Sequence, residues 1–513
     1  MNDMHIESSS AENGQSIGRN VAWRYALYLA AYFLAFTSYW MNHYFGRPDL
    51  DQILYHLNVG AEGLAGTDPV LIRRFIRYCV VAPLLLLWAT IWFERSGHGL
   101  RWTQRARLHG SMPAVLLGAA ALHWMVQVDT VSHVLARFGP DYFAANYIPP
   151  ERITIRPVKP KNLVLIYVES LEADYRRADL IGSNLLAPLD AIDGVRFGQF
   201  RQTPGTGWTI AALVATQCAL PLKRVTLYDE NTQGEAIRTF LPNATCLGDI
   251  LAGKGYRNIF MGGASATFAG KGKFLSSHGY QEVYGKEDWL RAGAGEDQLN
   301  GWGLYDGRLI DRAKLKVSEL QASGQPFNLT LLTVNTHEPR GHLSRRCAAR
   351  GFKGFEGVVG CVSGHLAEFV AFMEQNGYMD NTNVIILGDH LARKNPLSKR
   401  LASVPERTIF NLMLSRQPQA KAREEIIHFD LLPTILAFSG FDVAGGRLGL
   451  GYNAFDRDAR PQTERFAQMQ ESLMNRSHTY LALWAPSTER VPATVAASDL
   501  APPLIETATA AAP

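Results

Sequence analysis

Apolar residues are distributed in two different ways along the chain. Before residue 130 they form three long, nearly uncharged runs: Val21–Phe45 (VAWRYALYLAAYFLAFTSYWMNHYF), Tyr78–Phe93 (YCVVAPLLLLWATIWF) and Met112–Val128 (MPAVLLGAAALHWMVQV). Beyond residue 160 the runs are short and partly β-branched: Asn162–Val168 (NLVLIYV), Arg257–Met261 (RNIFM), Phe327–Val334 (FNLTLLTV) and Asn383–Leu387 (NVIIL). Continuous apolar runs of that length read as strands buried on both faces. Helical patterns lie between them, at Cys246–Ala252, Asp311–Ser323 and Gly364–Glu374. Alternating strand and helix signals predict an α/β fold with a mostly parallel central sheet flanked by helices.

The long runs predict about three transmembrane helices, since about 20 apolar residues cross a bilayer. Trp and Tyr enrich the first, as at a membrane interface. No small-residue cleavage pattern follows it, so it reads as an anchor. The loop after the second run carries Arg95, Arg101, Arg105 and Arg107 and no acid, which puts that loop in the cytoplasm. Everything after about residue 130 is then outside, although Arg73, Arg74 and Arg77 count against this orientation. The expected organisation is a cytoplasmic tail (1–20), a membrane domain (21–135), a linker (136–158), a catalytic domain (159–455) and a C-terminal extension (456–513) with a disordered end. A length of 513 residues agrees with two or three units. A net charge of only +4 leaves no nucleic-acid footprint.

Four of the five cysteines (Cys218, Cys246, Cys347 and Cys361) follow the membrane runs, and Cys79 lies within one. An oxidising compartment lets them pair. Four cysteines allow three pairings. Cys347 and Cys361 are close in sequence and flank a polar, glycine-rich stretch, which favours Cys347–Cys361 with Cys218–Cys246.

In open α/β sheets, ligands bind beyond the carboxyl ends of the strands. Glu169 follows NLVLIYV at once, Asp389 and His390 follow NVIILG, and His337 lies just after FNLTLLTV. Two carboxylates and an imidazole are ligands for a divalent cation, Mg²⁺ or Mn²⁺, with the imidazole drawing the preference toward Mn²⁺ or Zn²⁺. Thr209 opens the apolar run TIAALVATQC after the glycine-broken turn TPGTGW. Alone it reads as a helix N-cap. Beside a metal and a helix N-terminus it reads as a nucleophile, with Gly205 and Gly207 giving a phosphate group close approach. The stretch GGASATFAGKGKF looks phosphate-binding, but Ser265 stands where a P-loop needs glycine and Gly272 follows Lys271. It reads as a loop at a strand end.

The segments NLVLIYVESLEADY, GTGWTIAALVATQCALPL, CLGDIL, GGASATFAGKGKFLSSHGY, GWGLYD, TVNTHEPRGHLSRRC and ILGDH occur in that order. Together they resemble the membrane-anchored phosphoglycerol transferases of the alkaline phosphatase and sulfatase superfamily, nearest to those that decorate osmoregulated periplasmic glucans. Lipoteichoic acid synthases are more distant relatives. The resemblance implies a transferase of the bacterial inner membrane with its catalytic domain in the periplasm. It implies that Thr209 attacks phosphatidylglycerol, releases diacylglycerol and holds phosphoglycerol until a glucan or other envelope glycan takes it. It further implies Glu169, Thr209, Asp389 and His390 around Mn²⁺ or Mg²⁺, and Trp302 and His337 against the headgroup, His337 also moving the proton. A phosphoethanolamine transferase is the alternative, sharing the threonine and the metal. A sulfatase reaction needs Cys or Ser in Cys/Ser-x-Pro-x-Arg, whereas here Thr209 is followed by Ile210, Ala211, Ala212 and Leu213.

Overall fold

The computed structural model describes residues 6–44, 50, 53, 69–96, 111–128, 130, 138–223, 239–417 and 419–485. Arg101, Arg105, Arg107 and the C-terminal APPLIETATAAAP lie outside the described residues.

Six strands form the central sheet: β1 (Asn162–Val168), β2 (Arg257–Gly262), β3 (Glu282–Tyr284), β4 (Phe327–Leu332), β5 (Thr382–Gly388) and β6 (Asn411–Leu414). Their order is β3-β2-β4-β1-β5-β6. All neighbours are parallel except β5 and β6, which run antiparallel. The expected mostly parallel sheet is therefore present, with a mixed edge.

Every residue of β1 from Leu163 to Val168 is buried, because each face has its own helical layer. Leu163, Leu165 and Tyr167 point into one core. That core holds α4 (Thr209–Cys218) and α7 (Leu431–Phe438), whose Ile210, Leu213, Ile435 and Leu436 are fully buried. Val164, Ile166 and Val168 point into the other, packed with Leu309 and Val317 of α5 (Asp306–Ser323) and Phe369 of α6 (Gly354–Gln375). This period-2 division explains why the strand sequences show no polar face.

Helix α6 begins ten residues before the expected Gly364, so the glycine-rich stretch between the cysteines is helical from Gly354 onward, with a non-helical turn at residues 350–353. Phe352 lies against Gly357 and Gly360, where an added Cβ would meet its ring and backbone at 3.0–3.3 Å. Both expected disulfides are formed, Cys218–Cys246 and Cys347–Cys361. Cys79 is free and buried. Packing continues past residue 455: Arg465 Nη2 pairs with buried Asp430 at 2.9 Å, and the Tyr480 hydroxyl accepts from Lys223 N at 2.9 Å.

In the N-terminal region α1 (Ile6–Tyr44) runs antiparallel to α2 (Ala82–Arg95) and its preceding turns, with α3 (Met112–Gln127) alongside. The pairs Arg24–Glu94, Tyr32–Thr90 and Tyr44–Arg74 fix that antiparallel register, at 3.0, 2.9 and 3.2 Å. Of the three long runs, only the second lies in a described helix long and apolar enough to span a bilayer, Ile72–Arg95. Helix α3 has 16 residues, and α1 is longer but less apolar. Helix α6 also meets the length and composition test, but it is packed on the sheet.

Candidate active site

The strand ends converge as the crevice rule predicts. Glu169 leaves β1 and Asp389 leaves the adjacent β5, so parallel pairing alone puts their carboxylates side by side. Gly388 is required at this step: an added Cβ would lie 2.0 Å from the Leu171 carbonyl oxygen. Glu169, Asp389 and His390 are all buried, and their ligand atoms lie within 4.8 Å of one another. His390 Nε2 is 3.5 Å from both Glu169 Oε1 and Asp389 Oδ2. Its Nδ1 faces the Leu391 carbonyl at 2.9 Å. A carbonyl only accepts, so Nδ1 carries the proton and Nε2 turns its lone pair to the carboxylates.

Thr209 is the first residue of α4, and Trp208 holds the cap position. The N-cap reading of Thr209 is therefore corrected: its hydroxyl makes no cap bond and instead donates to Glu169 Oε2 at 3.2 Å. Helical side chains tilt toward the N-terminus, the end at which the free amides also point, which leaves Oγ1 aimed at the cluster. The reading of Gly205 and Gly207 as headgroup clearance is also revised. Gly205 has φ 75°, and a Cβ there would meet Pro221 at 2.8 Å; at Gly207 it would meet Gln202 at 3.0 Å. The turn's own packing and backbone account for Gly205, whereas at Gly207 the contact is only with the movable end of the Gln202 side chain.

Asp389 Oδ1 accepts from Ser170 N and His390 N, at 2.7 and 2.9 Å. Its Oδ2 is buried with no hydrogen-bond partner among the described residues. Burial pushes the Asp389 carboxyl up, and the nearby Glu169 charge adds to this against the pull of His390. Burial would raise Glu169 too, but the His337 and His390 imidazoles hold it below the usual carboxylate range. His390 is raised despite burial, because both carboxylates face it. Burying two carboxylates together is costly without a counter-charge. An orphaned carboxylate oxygen, a free imidazole lone pair and a hydroxyl around one point fit a divalent cation.

A second wall faces this cluster. The rings of Trp302 and His337 pack with centroids 4.4 Å apart and planes tilted by 39°, and Phe268 packs edge-on to Trp302 at 5.5 Å. His337 Nδ1 donates to the Glu338 carbonyl at 2.9 Å, leaving Nε2 to accept. These two residues, 35 positions apart in sequence, are thus brought together.

Two further residues of this wall escaped the sequence reading. Asp306, in GWGLYD, is buried and accepts from Val334 N at 2.7 Å and Asn335 N at 3.1 Å, which positions the loop leading to His337. Burial raises its carboxyl to about 7. Lys271, in the rejected P-loop segment, is buried, donates to the Phe268 carbonyl at 2.9 Å and sits 4.9 Å from the Phe268 ring. Burial lowers it to about 8, even with Glu169 and Glu287 pulling the other way. Lys271 has no carboxylate in ion-pair contact among the described residues. The signal was present in sequence as the lysine left over once the P-loop failed.

Phosphoglycerol transferase I of Citrobacter koseri is 31% identical over 493 residues, covering 91% of this chain and 61% of that protein. The phosphoglycerol transferase I of Escherichia coli O127:H6 is 31% identical over 485 residues with the same two coverages. The chain thus spans about three fifths of the length of these relatives. A solved protein of the alkaline phosphatase superfamily from Vibrio parahaemolyticus has a TM-score of 0.45 at 19% identity, covering 66% of this chain and 79% of that one. The sulfatase family model matches residues 161–441, from the start of β1 through α7, more than half of the chain. Every cluster residue falls within that span, and the chain belongs to the sulfatase family.

Proposed function

We propose that the chain is a membrane-anchored phosphotransferase that moves phosphoglycerol from phosphatidylglycerol to a periplasmic glucan or another envelope glycan, through a phosphoglycerol ester on Thr209. The observation that carries this reading is the Thr209 hydroxyl at the start of α4, hydrogen-bonded to Glu169 beside Asp389 and His390. The likeness to phosphoglycerol transferase I supports the choice of glycerol headgroup.

Glu169, Thr209, Asp389 and His390 would hold the cation, Mn²⁺ or Mg²⁺. Bound there, a divalent ion neutralises phosphoryl charge and acidifies a hydroxyl. The protein's own groups do the rest. Its hydroxyl proton lost to water before the attack, Thr209 Oγ1 forms a bond to phosphorus as the bond to the diacylglycerol oxygen breaks, with the amides at the start of α4 facing the phosphoryl oxygens, and it departs as the same alkoxide in the second displacement. With both ring nitrogens protonated, His337 gives its Nε2 proton to the departing diacylglycerol oxygen, which leaves Nε2 as an acceptor for the next step. In the second displacement an acceptor hydroxyl attacks phosphorus, gives its proton to His337, and Thr209 leaves. Trp302 buttresses the His337 ring and offers an apolar face to the glycerol.

Membrane anchoring belongs to the same proposal. Leu84, Leu85, Trp88, Trp92, Val115, Leu122 and Val126 are exposed on α2 and α3, an apolar belt that suits lipid rather than water. A cleft of about 190 Å³ is lined jointly by Tyr44, Val70 and Arg74 of the helical region and by Trp302, His337 and Arg340. It would connect the lipid surface to the headgroup wall.

The test is incubation of the full chain with labelled phosphatidylglycerol and Mn²⁺, with and without glucan. Diacylglycerol release that vanishes in Thr209→Ala supports the reading, and release that persists in that variant refutes it. Transfer from phosphatidylethanolamine instead would reassign the headgroup. Normal yield of the Thr209 ester in His337→Gln would remove His337 from the proton path.

A further inference from the structure

A second cleft lies at the same junction, beyond the partition made by Glu338. Its volume is about 620 Å³, and its lining includes Asn42 and Gln127 from the outer ends of α1 and α3, and Gln202, Arg393, Lys394 and Arg407 from the α/β domain. Arg393 Nη2 pairs with Glu338 Oε1 at 2.9 Å, and Lys394 N donates to Glu338 Oε2 at 3.0 Å, so Glu338 separates this cleft from the one beside His337. Among the described residues, three cations and three amides line the cleft and no carboxylate does. The balancing carboxylates, Glu172 and Glu338, are buried behind the arginines. Arg407 spends Nε and Nη2 on Glu172 and the Ala392 carbonyl, while its Nη1 makes no hydrogen bond among the described residues. Lys394 is exposed and reaches the Asn42 carbonyl at 3.3 Å.

We propose that this cleft binds the headgroup phosphate of an anionic phospholipid that is not being transferred, with its acyl chains along α1 and α3. The proposal rests on the membrane placement given above. Charge and position agree: cations beside the outer ends of apolar helices meet phosphate at the depth where lipid headgroups lie. Occupancy would tie α1 and α3 to the segment Leu391–Lys394, which follows Asp389 and His390 directly. Arg74, which sits at that end of the helices on the Tyr44 hydroxyl, counts against the assigned orientation only if nothing anionic lies there.

The test is native mass spectrometry of the full chain in detergent with phosphatidylserine, which the proposed transfer does not consume, or with phosphatidylcholine. Wild type should retain phosphatidylserine over phosphatidylcholine. Lys394→Glu and Gln127→Glu, which add a negative charge from opposite walls, should each cut phosphatidylserine retention by at least about fivefold. Lys394→Arg should restore it. Unchanged retention in a glutamate variant that melts like wild type overturns the proposal. Displacement of the lipid by an equal concentration of inorganic phosphate also overturns it, since the cleft would then read phosphate alone. Thr209→Ala separates the two accounts: it should lose diacylglycerol release and keep phosphatidylserine, so loss of the chemistry and loss of the lipid site are read independently.

Discussion

At the scale of residues, the cluster is a set of charges that conflict until a cation joins them. Asp389 Oδ2 has no partner among the described residues, and the carboxylate of Glu169 lies beside it. Mn²⁺ at a hundred times its dissociation constant should therefore stabilise the protein by about 2.7 kcal/mol. Asp389→Asn should lose most of that gain in thermal unfolding with and without the ion. Lys271 makes a complementary prediction. It titrates at about 8 in the fold against 10.5 when free, so between those values the unfolded chain binds more protons. Stability should then rise with pH from about 8 to about 10.5, by roughly 3 kcal/mol at most. Lys271→Met should abolish that rise and be more stable than wild type at neutral pH, while losing affinity for phosphoryl substrates. Unfolding at several pH values, wild type against variant, checks it. The sequence showed Glu169, Asp389 and His390 because the strands ahead of them were unmistakable. Lys271 was visible only as the lysine left over from a failed P-loop, because it is burial that makes it unusual.

At the scale of elements, β1 and β5 were readable because both of their faces are covered, which makes their residues apolar without interruption. The antiparallel β6, NLML, is too short to signal, and β3, EVY, is only half-buried. The first half of α6 was hidden by glycines that Phe352 requires, and glycine carries no helical pattern. Pairing Cys218 with Cys246 anchors the far end of α4, the helix that carries Thr209. Replacing both cysteines, which lie 28 residues apart, with serine should cost about 3.5 kcal/mol by the loop-entropy argument. Activity at low temperature should survive, because the start of α4 is held separately by the sheet crevice. Thermal melting and initial rates on the same sample distinguish those two effects.

At the scale of the whole molecule, the site faces the helical region rather than open solvent. Tyr44, Val70 and Arg74 close one side of the His337 cleft, and Asn42 and Gln127 close the other cleft. Hydropathy alone suggested three spans and could not show that their outer ends meet the catalytic layer, because such contacts join segments hundreds of residues apart. Removing residues 1–137 should leave hydrolysis of a small soluble phosphodiester within a fewfold of the full chain. It should reduce turnover of phosphatidylglycerol in vesicles by about a hundredfold, the loss expected when a tethered encounter becomes bimolecular. Equal losses on both substrates would mean that the helices support the site itself.

The central claim is a covalent phosphoglycerol on Thr209. Its most direct measurement is peptide mass spectrometry of the full chain after incubation with phosphatidylglycerol and Mn²⁺, acceptor withheld, quenched in acid. The account predicts one phosphoglycerol on the peptide containing Thr209, lost when glucan is added and absent in Thr209→Ala. Diacylglycerol release with Thr209 unmodified throughout, or an adduct that forms in Thr209→Ala, would contradict it.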